Sequence, residues 1–228
     1  LIGKDAGEFM GIATGVKVSA DSAAALDGAD VLIDFTRPSA TLDYLNHCGR
    51  LGIRAVIGTT GFDAAGLQAI TAFSRQSPVV FAPNMSVGVN ITLKLLEVAG
   101  RYLSQGFDIE VIEAHHRHKV DAPSGTALKM GEVVAQAAGR NFTDVARFAR
   151  EGHTGERRAD EIGFSVIRGG DIVGDHTVMF AGTGECIEIT HKSSSRATYA
   201  QGALRAAKFL MGQSNGLYDM QDVLGLKR

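Results

Sequence analysis

The chain has 228 residues, 45% of them hydrophobic and 21% charged, which supplies one large or two modest cores and excludes disordered and fibrous classes. Twenty-three Lys and Arg face twenty-five Asp and Glu for a formal charge of -2, so no global positive field recruits nucleic acid or an anionic membrane, and neither partner is expected. The two cysteines, Cys48 and Cys186, lie outside any C-x-x-C spacing; with no apolar run near the roughly 20 residues that cross a bilayer and no basic-then-apolar leader, a reducing, cytoplasmic setting is expected.

The opening residues, 1–15, are glycine-rich without strand or helix periodicity and begin on Leu1, the pattern of a chain that starts in mid-protein. The first apolar run predicts a strand over residues 31–35, ended by Thr36-Arg37-Pro38. Leu42, Leu45 and Cys48 then recur at helical spacing over residues 39–50, with Gly52 as the stop. A strand over 55–57 ends at Gly58-Thr59-Thr60-Gly61, a helix over 64–75 follows, and a strand over 79–82 is broken by Pro83-Asn84 before a helix over 89–103. Strict alternation with short connections predicts a parallel sheet with helices on both faces. The loops at Thr36, Thr59 and Asn84 stand at the carboxyl ends of its strands, where ligands collect.

From Asp108 the pattern changes. A strand over 108–114 and a helix over 127–138 precede strands over 162–168, 172–180 and 185–191, the last three joined by hairpin-type turns at Gly169-Gly170-Asp171 and Gly182-Thr183-Gly184. A mixed or antiparallel sheet with one helix-covered face is expected, followed by a helix over 197–211 that stops at Gly212.

The densest chemical signal runs from Glu113 to Thr126, E-A-H-H-R-H-K-V-D-A-P-S-G-T, leaving a strand and entering a helix. Such a place combines loop side chains held by rigid elements, groups that exchange protons near neutrality, and free amides at the positive end of a helix dipole, which suit a carboxylate or phosphate. A metal site built from His115, His116 and His118, serving a hydrolase, is the competing reading. Against it, neighbouring histidines on an extended chain point to opposite faces, no H-E-x-x-H or Cys ligand is near, and Lys119 repels a cation. Ser124-Gly125-Thr126 is either a plain helix cap or, beside Lys119 and the histidines, part of an anion site. Gly58-Thr59-Thr60 and Ala82-Pro83-Asn84-Met85 read equally as turn punctuation, and Arg37 and Arg196 as solvent or phosphate contacts.

At this point the string EAHHRHKVDAPSGTA resembles the signature of the dihydrodipicolinate reductase (4-hydroxy-tetrahydrodipicolinate reductase) family of lysine and diaminopimelate biosynthesis. IDFTRP from Ile33, IGTTGF from Ile57, N-x-S-x-G-V-N from Asn84, REGHTGER from Arg150 and RGGDIVGDHTV from Arg168 extend the likeness over nearly the whole chain. The change of strand and helix pattern divides the chain at 85/86 and 196/197, and on that division the resemblance implies an α/β fold: a Rossmann-like parallel sheet, N-terminally incomplete, in a dinucleotide-binding domain over residues 1–85, then an α+β domain of mixed sheet for substrate binding and tetramerisation over 86–196, with residues 197–228 returning to the first domain. It implies His115 as general acid, Lys119 as second proton donor and substrate ligand, and His116, Ser124, Gly125 and Thr126 around the carboxylates of a small dicarboxylate. Gly58, Thr59, Thr60, Ala82, Pro83, Asn84 and Met85 would border the nicotinamide of NADPH or NADH, with no metal. The family opens with a glycine-rich pyrophosphate loop that this sequence does not contain, so weakened cofactor binding, or a module that binds ligand and assembles without turnover, is the expectation that departure raises.

Overall fold

The computed structural model describes residues 1–227. They form two compact units, residues 1–83 with 203–227, and residues 84–202. The chain thus crosses between them at 83/84 and again at 202/203, where turn and helix signals alone set the divisions at 85/86 and 196/197.

In the first unit the opening residues form a loop gathered by one carboxylate. Asp5 accepts from the amides of Gly7, Thr14 and Gly15 and from the Thr14 hydroxyl, and these bonds, the Thr14 hydroxyl foremost, hold it well below the usual carboxylate range. After α1 (Ser22–Leu26) come β1 (Val31–Asp34), α2 (Pro38–Leu51), β2 (Arg54–Ile57), α3 (Ala64–Ser74) and β3 (Val79–Phe81). Pro38 begins α2, where a missing N–H costs nothing. Gly52 ends it at φ 69°, a left-handed conformation that glycine adopts without a Cβ clash. The strands pair in parallel. Leu45 and Cys48 of α2 and Ile70 and Phe73 of α3 bury against Ala55, Ile57 and Val79, each large side chain worth roughly 1.5–3 kcal/mol.

The second unit begins with α4 (Val87–Tyr102), β4 (Phe107–His115) and α5 (Gly125–Ala137). Then follow α6 (Phe142–Val145), β5 (Ala146–Arg147), β6 (Ile162–Arg168), β7 (Gly174–Gly182) and β8 (Cys186–Ser193). α7 (Ala197–Leu210) straddles the second crossing, and β9 (Leu217–Tyr218) pairs in parallel with β3 in the first unit before α8 (Met220–Val223).

The second sheet has the order β5-β6-β4-β7-β8. Its central strand, β4, runs parallel to β6 and antiparallel to β7. Side chains alternate along β4, and Ile109, Val111, Glu113 and His115 all fall on its buried face. There Leu96 of α4 and Ala127, Met130 and Val134 of α5 close the core over Ile109, Val111, Ile162, Phe164, Val178 and Phe180.

One detail corrects the sequence reading. Gly169-Gly170-Asp171 does not close a hairpin, because β4 lies between β6 and β7. These residues wrap the end of β4 instead, the Gly169 amide donating to the His115 carbonyl and the Arg117 amide to that of Gly170. Gly182-Thr183-Gly184 does form a hairpin between antiparallel β7 and β8, with Gly184 at φ 85°. The REGHTGER segment, for its part, is an ion-paired strap: Arg150 binds Glu110 and Glu161, while Arg157 binds Asp108 at 2.8 Å, Glu110 at 3.2 Å and the Ile109 carbonyl at 2.9 Å. A Cβ at Gly163 would stand 2.0 Å from the Glu110 carboxylate, so glycine there makes room for the strap.

Candidate active site

Period-two alternation sends Glu113 and His115 to the same covered face at the end of β4, and there they meet. The His115 Nδ1–H donates to Glu113 Oε2 at 2.6 Å. Glu113 is 1% exposed and carries three further bonds: two from the Arg168 guanidinium, at 2.7 and 2.9 Å, and one from the Ser124 amide at 3.0 Å. Burial pushes this carboxyl upward, but the Arg168, His115 and Ser124 bonds outweigh it and hold Glu113 below its ordinary value. Arg168 also donates to the Asp121 carbonyl at 2.7 Å, tying the loop after His115 to the end of β6.

His176 of β7 stands edge-on to His115, ring centres 5.0 Å apart. Its Nε2 is hydrogen-bonded to Ser124 Oγ at 2.9 Å, and that oxygen also accepts the Ala127 amide as the cap of α5. The Ser124 hydroxyl is therefore engaged inward, with the residue 3% exposed. The next two amides, of Gly125 and Thr126, belong to the first turn and have no acceptor within the helix. Burial, with the neighbouring His115, pushes His176 down to about 4.

His116, one residue on, falls outside this buried face and is half-buried. Partial desolvation and then the charges of Arg196, His118, His115 and Lys119 lower its pKa, which marks this end of the unit as electropositive. Lys119 Nζ donates to both oxygens of exposed Asp121 at 2.7 and 2.9 Å. Asn84 Nδ2 reaches Thr126 Oγ1 at 3.3 Å, joining the A-P-N-M stretch to the first turn of α5. Sequence reading singled out His115, His116, Lys119 and the 124–126 turn but assigned no task to Glu113, Arg168 or His176.

In the first unit a second buried carboxylate organises the strand-end loops. Asp34, 2% exposed, accepts from the hydroxyls of Thr36 (2.6 Å), Thr41 and Thr59 (3.2 Å) and from the Thr36 amide. The Thr59 hydroxyl also accepts the Thr36 amide at 2.9 Å, so the loops after β1 and β2 are locked together. Thr59 is thus buried as a brace, while Thr60 is exposed. A Cβ at Gly58 would strike the Phe35 ring at 2.1 Å, so glycine lets that ring lie over the turn. Ala82 and Met85 are buried and Pro83 is exposed. The loops after β1 and β2 are thus held at the carboxyl edge of a parallel sheet, the place where ligands collect in such folds.

Among the described residues, no group of three or more His, Cys, Asp and Glu is placed to hold a metal ion, and no helix is long and apolar enough to cross a membrane. Parallel sheet, mixed sheet and an imidazole beside an anion-accepting helix turn define the class as a two-unit α/β protein with a proton-exchanging site in its second unit. Family models agree in detail: dihydrodipicolinate reductase, N-terminus, matches residues 1–85, and dihydrodipicolinate reductase, C-terminus, matches residues 88–224. The chain is 66% identical over 226 residues to 4-hydroxy-tetrahydrodipicolinate reductase of Cupriavidus metallidurans, covering 99% of this chain and 85% of that protein. It is 62% identical over 227 residues to the Nitrosospira multiformis enzyme of that name, covering 100% and 84%. The solved structure of dihydrodipicolinate reductase from Paenisporosarcina sp. TG-14, with dipicolinate bound, superposes with a TM-score of 0.75 at 25% identity over 96% of this chain and 85% of that one. This chain belongs to the dihydrodipicolinate reductase family.

Proposed function

We propose that the chain catalyses NAD(P)H-dependent reduction of 4-hydroxy-tetrahydrodipicolinate, through its dehydrated cyclic imine, to tetrahydrodipicolinate in lysine and diaminopimelate biosynthesis, with His115 as the proton donor. The observation that carries the site assignment is the convergence at the end of β4 of an imidazole, the open first turn of α5 and the positive groups around His116. A dicarboxylate suits that surface. The amides of Gly125 and Thr126 donate to one carboxylate. Lys119 and His116 take the other, Lys119 exchanging its bond with exposed Asp121, a pair of little intrinsic strength. Ser124 acts by holding the turn, since its hydroxyl is already bound twice.

Gly58, Thr59, Thr60 and Ala82 to Met85 would border the nicotinamide of NADPH or NADH, which when bound supplies the hydride. The protein's own work is orientation, charge complementarity and a proton. As the ring accepts the hydride, electron density shifts to the neighbouring carbon; the His115 N–H bond breaks, a C–H bond forms, and neutral imidazole is left to recover a proton from solvent. The uncovered sheet face, with Ile112, Ile167, and the Thr177 and Thr190 hydroxyls bonded at 2.9 Å, is a surface for association into a homotetramer. The unpaired Cys48 and Cys186 suit a reducing cytoplasm.

A coupled assay tests the reading, with substrate supplied by the preceding synthase and oxidation of NADH or NADPH followed by absorbance. His115→Ala is expected to lower kcat roughly 10²- to 10⁴-fold, and Lys119→Ala to lower kcat and raise KM. Wild-type rates in both variants would remove His115 and Lys119 from the chemistry.

A further inference from the structure

We infer that Glu113 and Arg168 form a latch that fixes which nitrogen of His115 meets the substrate, making both positioning residues for the proton transfer; the inference rests on His115 being the proton donor. Three segments far apart in sequence meet on one carboxylate: Arg168 from the end of β6, the Ser124 amide from the α5 turn, and His115 from β4 itself. An ionised carboxylate only accepts, so the His115 nitrogen facing Glu113 must carry hydrogen in both charge states of the ring. The nitrogen that gains and loses a proton is then Nε2. Arg168 keeps Glu113 charged and unable to take that proton itself.

The rest of the surroundings favours the same outcome. His176, itself pinned by Ser124, lies edge-on against the His115 ring and limits its rotation. A Cβ at Gly174 would stand 3.0 Å from His115 Nε2, so glycine keeps the working nitrogen clear. When Nε2–H breaks, its electron pair stays on Nε2 and Nδ1–H remains bonded to Glu113, so the donor returns to one defined tautomer at each turnover.

The test is Glu113→Gln, read by steady-state kinetics, dipicolinate binding by calorimetry, and ¹⁵N spectra of histidine-labelled protein with His115→Ala as the assignment control. The Gln amide can donate to Nδ1, so the Nδ1 and Nε2 signals of His115 should exchange character. kcat should fall roughly 10²- to 10⁴-fold, the effect of presenting the wrong tautomer, with dipicolinate affinity within about threefold of wild type. Should Glu113→Gln keep its kcat while His115→Ala loses it, the latch is overturned and the proton-donor assignment stands. If both keep it, the assignment itself fails. Where Glu113→Gln does not fold, Arg168→Lys carries the test, since it keeps the charge and loses the paired bonds. It should lower kcat about tenfold and mix the tautomers without weakening dipicolinate, and an unchanged rate with a single tautomer would overturn the latch.

Discussion

Three histidines share the covered face of the second sheet, and their surroundings give them different work. His115 is tied to an ionised carboxylate, whereas His176 and its cross-strand partner His191 are pushed toward neutrality, chiefly by burial. For His176 the folded value of about 4 lies below the ordinary 6.5, so the unfolded chain binds a proton through that window and the folded chain does not. Stability from this residue is therefore complete above pH 6.5 and is lost as pH falls toward 4. Between pH 7 and pH 5 the loss amounts to about 2 kcal/mol. Urea unfolding of wild type and His176→Gln at both pH values should show that the wild type loses about 2 kcal/mol more than the variant; parallel losses would contradict it. At this scale the sequence disclosed residue types but not their partners. A run holding His115, Lys119 and a glycine-threonine turn announces proton and anion chemistry by itself. Arg168 stands 55 positions from Glu113, and His176 stands 52 from Ser124, so their contacts exist only once β6 and β7 flank β4.

At the scale of elements, long segments with clear periodicity were legible because burial repeats along them: α2, α3, α4 and α5 fall within about two residues of their expected bounds. The short pieces α1, α6, β5, β9 and α8 carry at most five residues each, too few for a period to register, and β9 is a strand only because β3 lies beside it. The misread hairpin has the same origin. Glycines at 169 and 170 signal a reversal of direction, but which strand becomes the neighbour depends on β4 taking the central place. One contact sets a sharp requirement on α7: a Cβ at Gly202 would stand 1.8 Å from the Met85 carbonyl oxygen. Backbone cannot yield as a side-chain tip does, so Gly202→Ala should cost roughly 2–3 kcal/mol and lower the melting temperature by roughly 4–12 °C. A thermal scan with an unchanged midpoint would show that helix and carbonyl do not approach so closely.

For the whole molecule, strict β-α alternation followed by glycine-joined strands was enough to separate a parallel from a mixed sheet, since parallel pairing needs crossover helices and antiparallel pairing does not. The position of the second crossing inside α7 was not readable, because a helix that continues across a boundary leaves no break in its pattern. The central claim is that the first turn of α5 grips a dicarboxylate within reach of His115. A crystal structure of the chain soaked with dipicolinate tests it most directly. The account expects one carboxylate within about 3.2 Å of the Gly125 and Thr126 amides, the other near Lys119, and His115 Nε2 facing the ring. Dipicolinate bound elsewhere, with the α5 turn and His115 untouched by it, would contradict the account.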